Sequence, residues 1–198
     1  MTFRDRQPTS SRAFNLIAFQ IGWLACVLGA SSAYSMAGPV VVAVLLAGQL
    51  RAAPDPPTLA RWLLLVGALG AAIDTGLGLV GLLSFRPDFT PSWACPPWLF
   101  FLWMIFGSTL PNALRWLAAT PTLAAVLGAT AGPLSYFAGR EMDALTLAEP
   151  LSTTLLVLAV LWGLLLPTLF GLLRVFMPEP AAPAHSTTPH LDRRQQAP

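Results

Sequence analysis

Any chemistry in this chain turns on Asp74. It is the one acid in an uncharged, mostly apolar run from Trp62 to Phe85, and it lies near the middle of that run. An acid at bilayer depth costs about 2.5–3.5 kcal/mol against lipid even on mild scales, so it belongs inside a helix bundle. Helical spacing agrees. Gly67, Gly70, Asp74, Gly78 and Gly81 fall at i, i+3, i+7, i+11 and i+14 and share one stripe. A glycine stripe lets neighbouring helices approach closely. Other polar side chains interrupt other apolar runs: Asn15, Gln20 and Trp23 in the first, Ser108 and Asn112 in the fourth, Tyr136 in the fifth. Trp103 is a further aromatic candidate. Gathered together, they would form a small polar pocket in which Asp74 acts as acid or base, or binds a cation. The competing reading is interhelical hydrogen bonding, worth about 0.6 kcal/mol per contact, joined by a protonated Asp74. Asn15 and Gln20 lie about 140° apart around one helix, so no single neighbour covers both; for the amides this favours packing.

Missing residue types exclude much else. The chain has no lysine; all eleven cations are arginine, which removes Schiff-base chemistry. The two histidines, His185 and His190, lie in the C-terminal tail, so no imidazole serves a metal, a haem or a catalytic triad within the bundle. Cys26 and Cys95 cannot build a four-ligand metal site, though a disulfide between them is geometrically reasonable. No metal, cofactor or nucleic acid is expected, and the balance leans away from an enzyme.

The elements that must position these residues are transmembrane helices. Of the 198 residues, 55% are hydrophobic and 10% charged, against roughly 25% charged in a soluble domain. The predicted fold is an all-α integral membrane protein, a single bundle of about six spans: 13–30, 36–50, 59–85, 98–117, 122–139 and 150–176. Residues 1–12 form a polar N-terminus, and 177–198 a proline-rich, disordered tail. The start resembles a signal peptide, but Asn15, Gln20 and Trp23 break its apolar core, so it is read as a first span. With both termini in the cytoplasm, Arg4, Arg6, Arg12, Arg51, Arg61, Arg115, Arg174, Arg193 and Arg194 face inward, and Arg86 and Arg140 face outward. Pro111, Pro133 and Pro167 are expected to kink the last three spans. Ala-Gly-Pro occurs at 37–39 and at 131–133, a weak hint of an inverted repeat.

Four segments carry a family resemblance: Asn-Leu-Ile-Ala-Phe-Gln-Ile-Gly-Trp (15–23), the Asp74 span, Pro-Pro-Trp-Leu-Phe-Phe-Leu-Trp (96–103) and Gly-Ala-Thr-Ala-Gly-Pro-Leu-Ser-Tyr-Phe-Ala-Gly (128–139). The chain, apart from its tail, resembles domain-of-unknown-function family 2878, a set of uncharacterised inner-membrane proteins. The resemblance implies a multi-pass protein of a bacterial inner membrane. It also marks Asn15, Gln20, Trp23, Asp74, Gly132, Pro133 and Tyr136 as candidates for a shared site. Three functions are expected to compete: handling of a small molecule or ion at Asp74; chemistry on a lipid with Asp74 as general acid or base; and an accessory subunit that packs through Gly67–Gly81. The expected partners are the lipid bilayer and a membrane-protein partner or a second copy of the chain.

Overall fold

The structure, a computed structural model, describes residues 9–177. The arginines at 4, 6, 193 and 194, both histidines, and nearly all of the expected terminal segments lie outside the described residues. Six α-helices are seen: α1 (Thr9–Ala30), α2 (Ala37–Ala52), α3 (Pro56–Leu79), α4 (Pro97–Thr109), α5 (Pro121–Glu141) and α6 (Leu151–Phe176). Two short strands, β1 (Leu83–Phe85) and β2 (Leu145–Leu147), and a 3₁₀ turn, Arg115–Ala119, complete the elements among the described residues. Arg12–Ala30, Pro56–Leu79 and Leu151–Phe176 are long and apolar enough to cross a membrane. The shorter α2 and α4 are also apolar.

Helix ends follow local chemistry. Proline occupies the first turn of α3, α4 and α5, where its missing N–H has no intrahelical partner to lose. Asp55 caps α3 by accepting from the Thr58 N–H at 3.2 Å. Pro111 does not kink a helix as expected. α4 stops at Thr109, two residues before it, although Leu110 keeps helical backbone angles, φ −62° and ψ −49°. The third expected span also overshoots. α3 ends at Leu79, and Gly81 sits beyond it in a left-handed turn at φ 77°, so Gly81 is a cap and not part of the packing stripe.

The end of α5 repeats the end of α3. The Leu77 carbonyl accepts from Leu82 N at 2.9 Å, and the Gly139 carbonyl accepts from Ala144 N at 2.9 Å. These are Schellman closures, with Gly81 and Asp143 (φ 58°) at the left-handed position. A strand starts two residues later in each case. The strands pair antiparallel with Ser84 opposite Thr146 at the centre, flanked by Leu83–Leu147 and Phe85–Leu145. Gly70 and Gly132, Asp74 and Tyr136, Gly81 and Asp143, Ser84 and Thr146 are each 62 positions apart. The hairpins α3–α4 and α5–α6 are thus related by an approximate two-fold axis along the bundle. Their first helices run in the same direction, unlike an inverted repeat.

α4 lies at the centre, packed on α1, α2 and α3, while α5 and α6 pair closely with each other. The indole N–H of Trp62 donates to the Gly107 carbonyl at 2.9 Å and fastens α3 to α4. Gly38 brings α2 against α1: a Cβ there would lie 2.4 Å from Cys26 Cα. Cys26 and Cys95 are both free thiols, so the suggested disulfide is not formed.

Candidate functional site

Asp74 projects from the middle of α3 and is fully buried. Both carboxylate oxygens accept hydrogen bonds. Trp103 Nε1, on α4, donates to Oδ2 at 2.6 Å, and the Tyr136 hydroxyl, on α5, donates to Oδ1 at 2.5 Å. Both partners are neutral.

Glycine makes this geometry reachable. Gly70 lies one helical turn before Asp74, and a Cβ there would fall 2.0 Å from Trp103 Cδ2. Only a bare backbone lets the indole lie flat against α3 and turn its N–H to the carboxylate. Across the two-fold, Gly132 gives Trp162 the same seat, 2.2 Å from where a Cβ would stand. The two indoles stack on each other at 5.0 Å with a 6° interplanar angle. Tyr136 meets Trp162 edge-on at 6.4 Å. Trp162 Nε1 is buried without a hydrogen-bond partner. The site is therefore an acid and a phenol at equivalent positions, walled by a tryptophan pair.

The remaining predicted residues divide. Asn15 and Ser108 meet, but in a second cluster near the other end of α4. Asn15 Nδ2 donates to Ser108 Oγ at 3.3 Å and to Gln49 Oε1 at 3.2 Å, and Asn112 Nδ2 donates to the Ser108 carbonyl at 2.8 Å. Asn15 Oδ1 and Gln49 Nε2 are buried without a partner. Gln20 is exposed on the outer face of α1, and Trp23 is half-buried; neither reaches Asp74. Gly67 and Gly78 do make close approaches, to Met104 and to the Trp93 backbone.

Sequence reasoning missed Trp162 and Gln49. Each carried a signal. Gln49 is an amide at the end of an apolar helix. Trp162 is a tryptophan near the middle of α6, away from the interface where membrane tryptophans collect.

Above Asp74, the segment before α4 folds down on α3. Cys95 N donates to Thr75 Oγ1 at 3.0 Å. Burial pushes the Cys95 thiol well above its ordinary range, and the nearby Asp74 carboxylate adds to the shift.

No curated protein and no solved structure matches the chain. A family described as "Protein of unknown function (DUF2878)" matches residues 12–168. That is most of the chain, and the chain belongs to this family.

Proposed function

We propose, taking membership of that family as the premise, that the chain is a six-span protein of a bacterial inner membrane and that Asp74 is an intramembrane site for a proton or a small cationic ligand. One observation carries the reading: Asp74 is fully buried and its partners, Trp103 and Tyr136, are both neutral donors. A buried carboxylate without a cation of its own is costly, and a proton or a cation lowers that cost. Tyr136 and Trp103 orient the oxygens. The stacked Trp103 and Trp162 shield them from water.

The described arginines support the topology. Arg12, Arg51, Arg61, Arg115 and Arg174 fall where α1 and α3 begin and where α2, α4 and α6 finish; Arg86 and Arg140 fall at the sheet end. Reading the first end as cytoplasmic follows the positive-inside bias. Arg174 Nη2 donates to the Ala118 carbonyl, tying the α6 end to the 3₁₀ turn.

A second reading has its own observation. The close fit of Trp103 on Gly70 makes Asp74 a sealed fastening of α3 to α4 and α5, which suits an accessory subunit or a homo-oligomer. Lipid chemistry is supported least. Asp74 is fully buried, so a lipid substrate has no open approach to its oxygens, which a general base requires.

Carbonyl infrared titration of the protein in lipid, wild type against Asp74→Asn, separates these readings. An acid band specific to the wild type that vanishes as pH rises through neutrality is the expected result. A band present at every pH means a permanently neutral, structural acid and ends the site reading.

A further inference from the structure

A cleft of about 390 Å³ opens beside the β1–β2 ladder, lined by Ser84, Arg86, Arg140, Glu141, Asp143 and Thr146. That volume is in the range of small-ligand sites. Its charges are of two kinds. Arg140 is already engaged, with Glu141 at 3.0 Å and Glu149 at 3.6 Å. Arg86 and Asp143 are not. Arg86 Nη1 reaches only a carbonyl, that of Ser32, at 3.3 Å, and Asp143 has no ion-pair partner among the described residues. The cleft thus offers one guanidinium and one carboxylate to a ligand.

The molecule contains its own control. The equivalent turn after α3 places Gly78, Leu79 and Gly81 where this one places Arg140, Glu141 and Asp143. The same Schellman closure and the same strand follow in both, so the fold does not require the charges. Asp143 moreover holds a left-handed conformation, φ 58°, that glycine adopts freely and other residues at a cost.

We propose that this cleft binds a zwitterion in which a phosphate is joined by a short linker to a primary ammonium, the chemistry of an aminophospholipid headgroup and of free phosphoethanolamine. Arg86 pairs with the phosphate. Asp143 accepts N–H bonds from the ammonium, which a trimethylated ammonium cannot donate. Arg86 and Asp143 lie at the same end of the ladder, just past the Phe85–Leu145 pair, and Ser84 and Thr146 form the pair on its other side. Tyr34, Phe89 and Trp93, all exposed at the same end, mark the depth at which headgroups lie. This placement rests on the six-span reading but not on any role of Asp74.

The test uses the full chain in nanodiscs of mixed phosphatidylethanolamine and phosphatidylcholine, followed by detergent stripping and quantification of retained lipid. The expected result is retention of the ethanolamine lipid over the choline lipid by about fivefold or more, the scale of one specific ion pair. Arg86→Gln and Asp143→Asn should abolish the preference. Asp143→Gly, which relaxes the turn, should abolish it too, so misfolding cannot explain the loss. Equal retention of both lipids, or an unchanged preference in the Asp143 variants, overturns the proposal. Equal retention of phosphatidylglycerol also overturns it, since that means an anion site alone. Free phosphoethanolamine, titrated onto the protein in detergent, identifies the source: displacement of retained lipid at millimolar concentration points to a soluble ligand, and resistance to the lipid. Should the chain fail to enter a bilayer, the six-span reading falls, and the detergent titration on wild type and Asp143→Gly still decides whether the cleft binds the zwitterion.

Discussion

At the scale of the residue, Asp74 and Tyr136 hold equivalent positions in two hairpins, and the difference between them sets the site. One can only accept when ionised; the other donates. Tyr136→Phe removes the donor and leaves Oδ1 buried and unpaired. Bonds to charged groups contribute about 1.5–3 kcal/mol, so a loss of about 2 kcal/mol is expected in reversible unfolding from lipid-detergent micelles. Loss below about 0.5 kcal/mol would mean that the bond contributes little. Cys95 is the natural reporter above the site. Burial, and then the Asp74 carboxylate, raise its pKa, so its thiolate fraction at pH 7 lies far below that of a free cysteine. Maleimide labelling of the folded protein should be at least about tenfold slower than after denaturation, and should speed up as pH rises. Labelling equally fast in both states would mean that the 90–96 segment does not cover α3. Of these residues, Asp74 was legible from sequence because an acid inside an apolar run has few places to go. The identity of its partners was not. An indole or a phenol reads equally well as an interface anchor or as core, and only the packing of α4 and α5 decides.

At the scale of the element, the glycines of α3 do different work at different positions. Gly70 is the seat of Trp103, and a methyl group there meets ring atoms at 2.0 Å. Gly76, on the same helix, has nothing within 4 Å of an added Cβ. Gly70→Ala should therefore cost about 3 kcal/mol, at the upper end of overpacking, while Gly76→Ala should stabilise by about 0.5–1 kcal/mol through helix propensity. Thermal unfolding of the two variants in one detergent checks the contrast; equal effects would mean that Trp103 can move aside. The start of α3 carries a pH dependence. The Thr58 side chain, and then its backbone N–H, hold the Asp55 carboxyl below its ordinary pKa. The folded value is the lower one, so the cap's contribution is complete above the unfolded pKa of about 3.9 and fades as pH falls through the folded value. Asp55→Ala should lower the thermal midpoint at pH 7 but scarcely at pH 2. Asp55→Asn, still a capping residue, should lose less at pH 7 and carry none of this titration. Gly67, Gly70 and Gly78 make the close approaches that the spacing suggests, whereas Gly81 lies past the helix end. The ends of α3 and α4 were not legible: an apolar run continues past Leu79 and past Thr109, and hydropathy does not register where a helix stops.

At the scale of the molecule, the two-fold repeat explains why α5 and α6 stay with the rest of the bundle. Apart from the chain link at 119–121, the contacts that hold the second hairpin include the Tyr136–Asp74 bond, the Trp103–Trp162 stack, the β1–β2 ladder, the Phe106–Trp162 and Trp62–Phe176 ring contacts and the Arg174–Ala118 bond. The repeat was hidden in the sequence because it preserves shape more than identity. Gly70 matches Gly132 and Leu83 matches Leu145, but Asp74 aligns with Tyr136 and Gly81 with Asp143. An apolar bundle asks for a small residue where an indole must lie and for a turn where a helix must end, and several residue types meet each demand. If each hairpin is a unit, a chain cut between Ala119 and Pro121 should reassemble when its two pieces are made together in one membrane, and the pieces should co-purify. Trp162→Ala removes one face of the stack. Burial losses of about 3–5 kcal/mol for such a change predict association at least about a hundredfold weaker, read as lost co-purification at dilute lipid ratios. Leu164→Ala, on the exposed side of the same helix, should leave association unchanged. If the wild-type pieces do not find each other, the covalent link at 119–121 is what keeps the halves together. If Trp162→Ala has no effect, the paired tryptophans are a consequence of the repeat and not its cement.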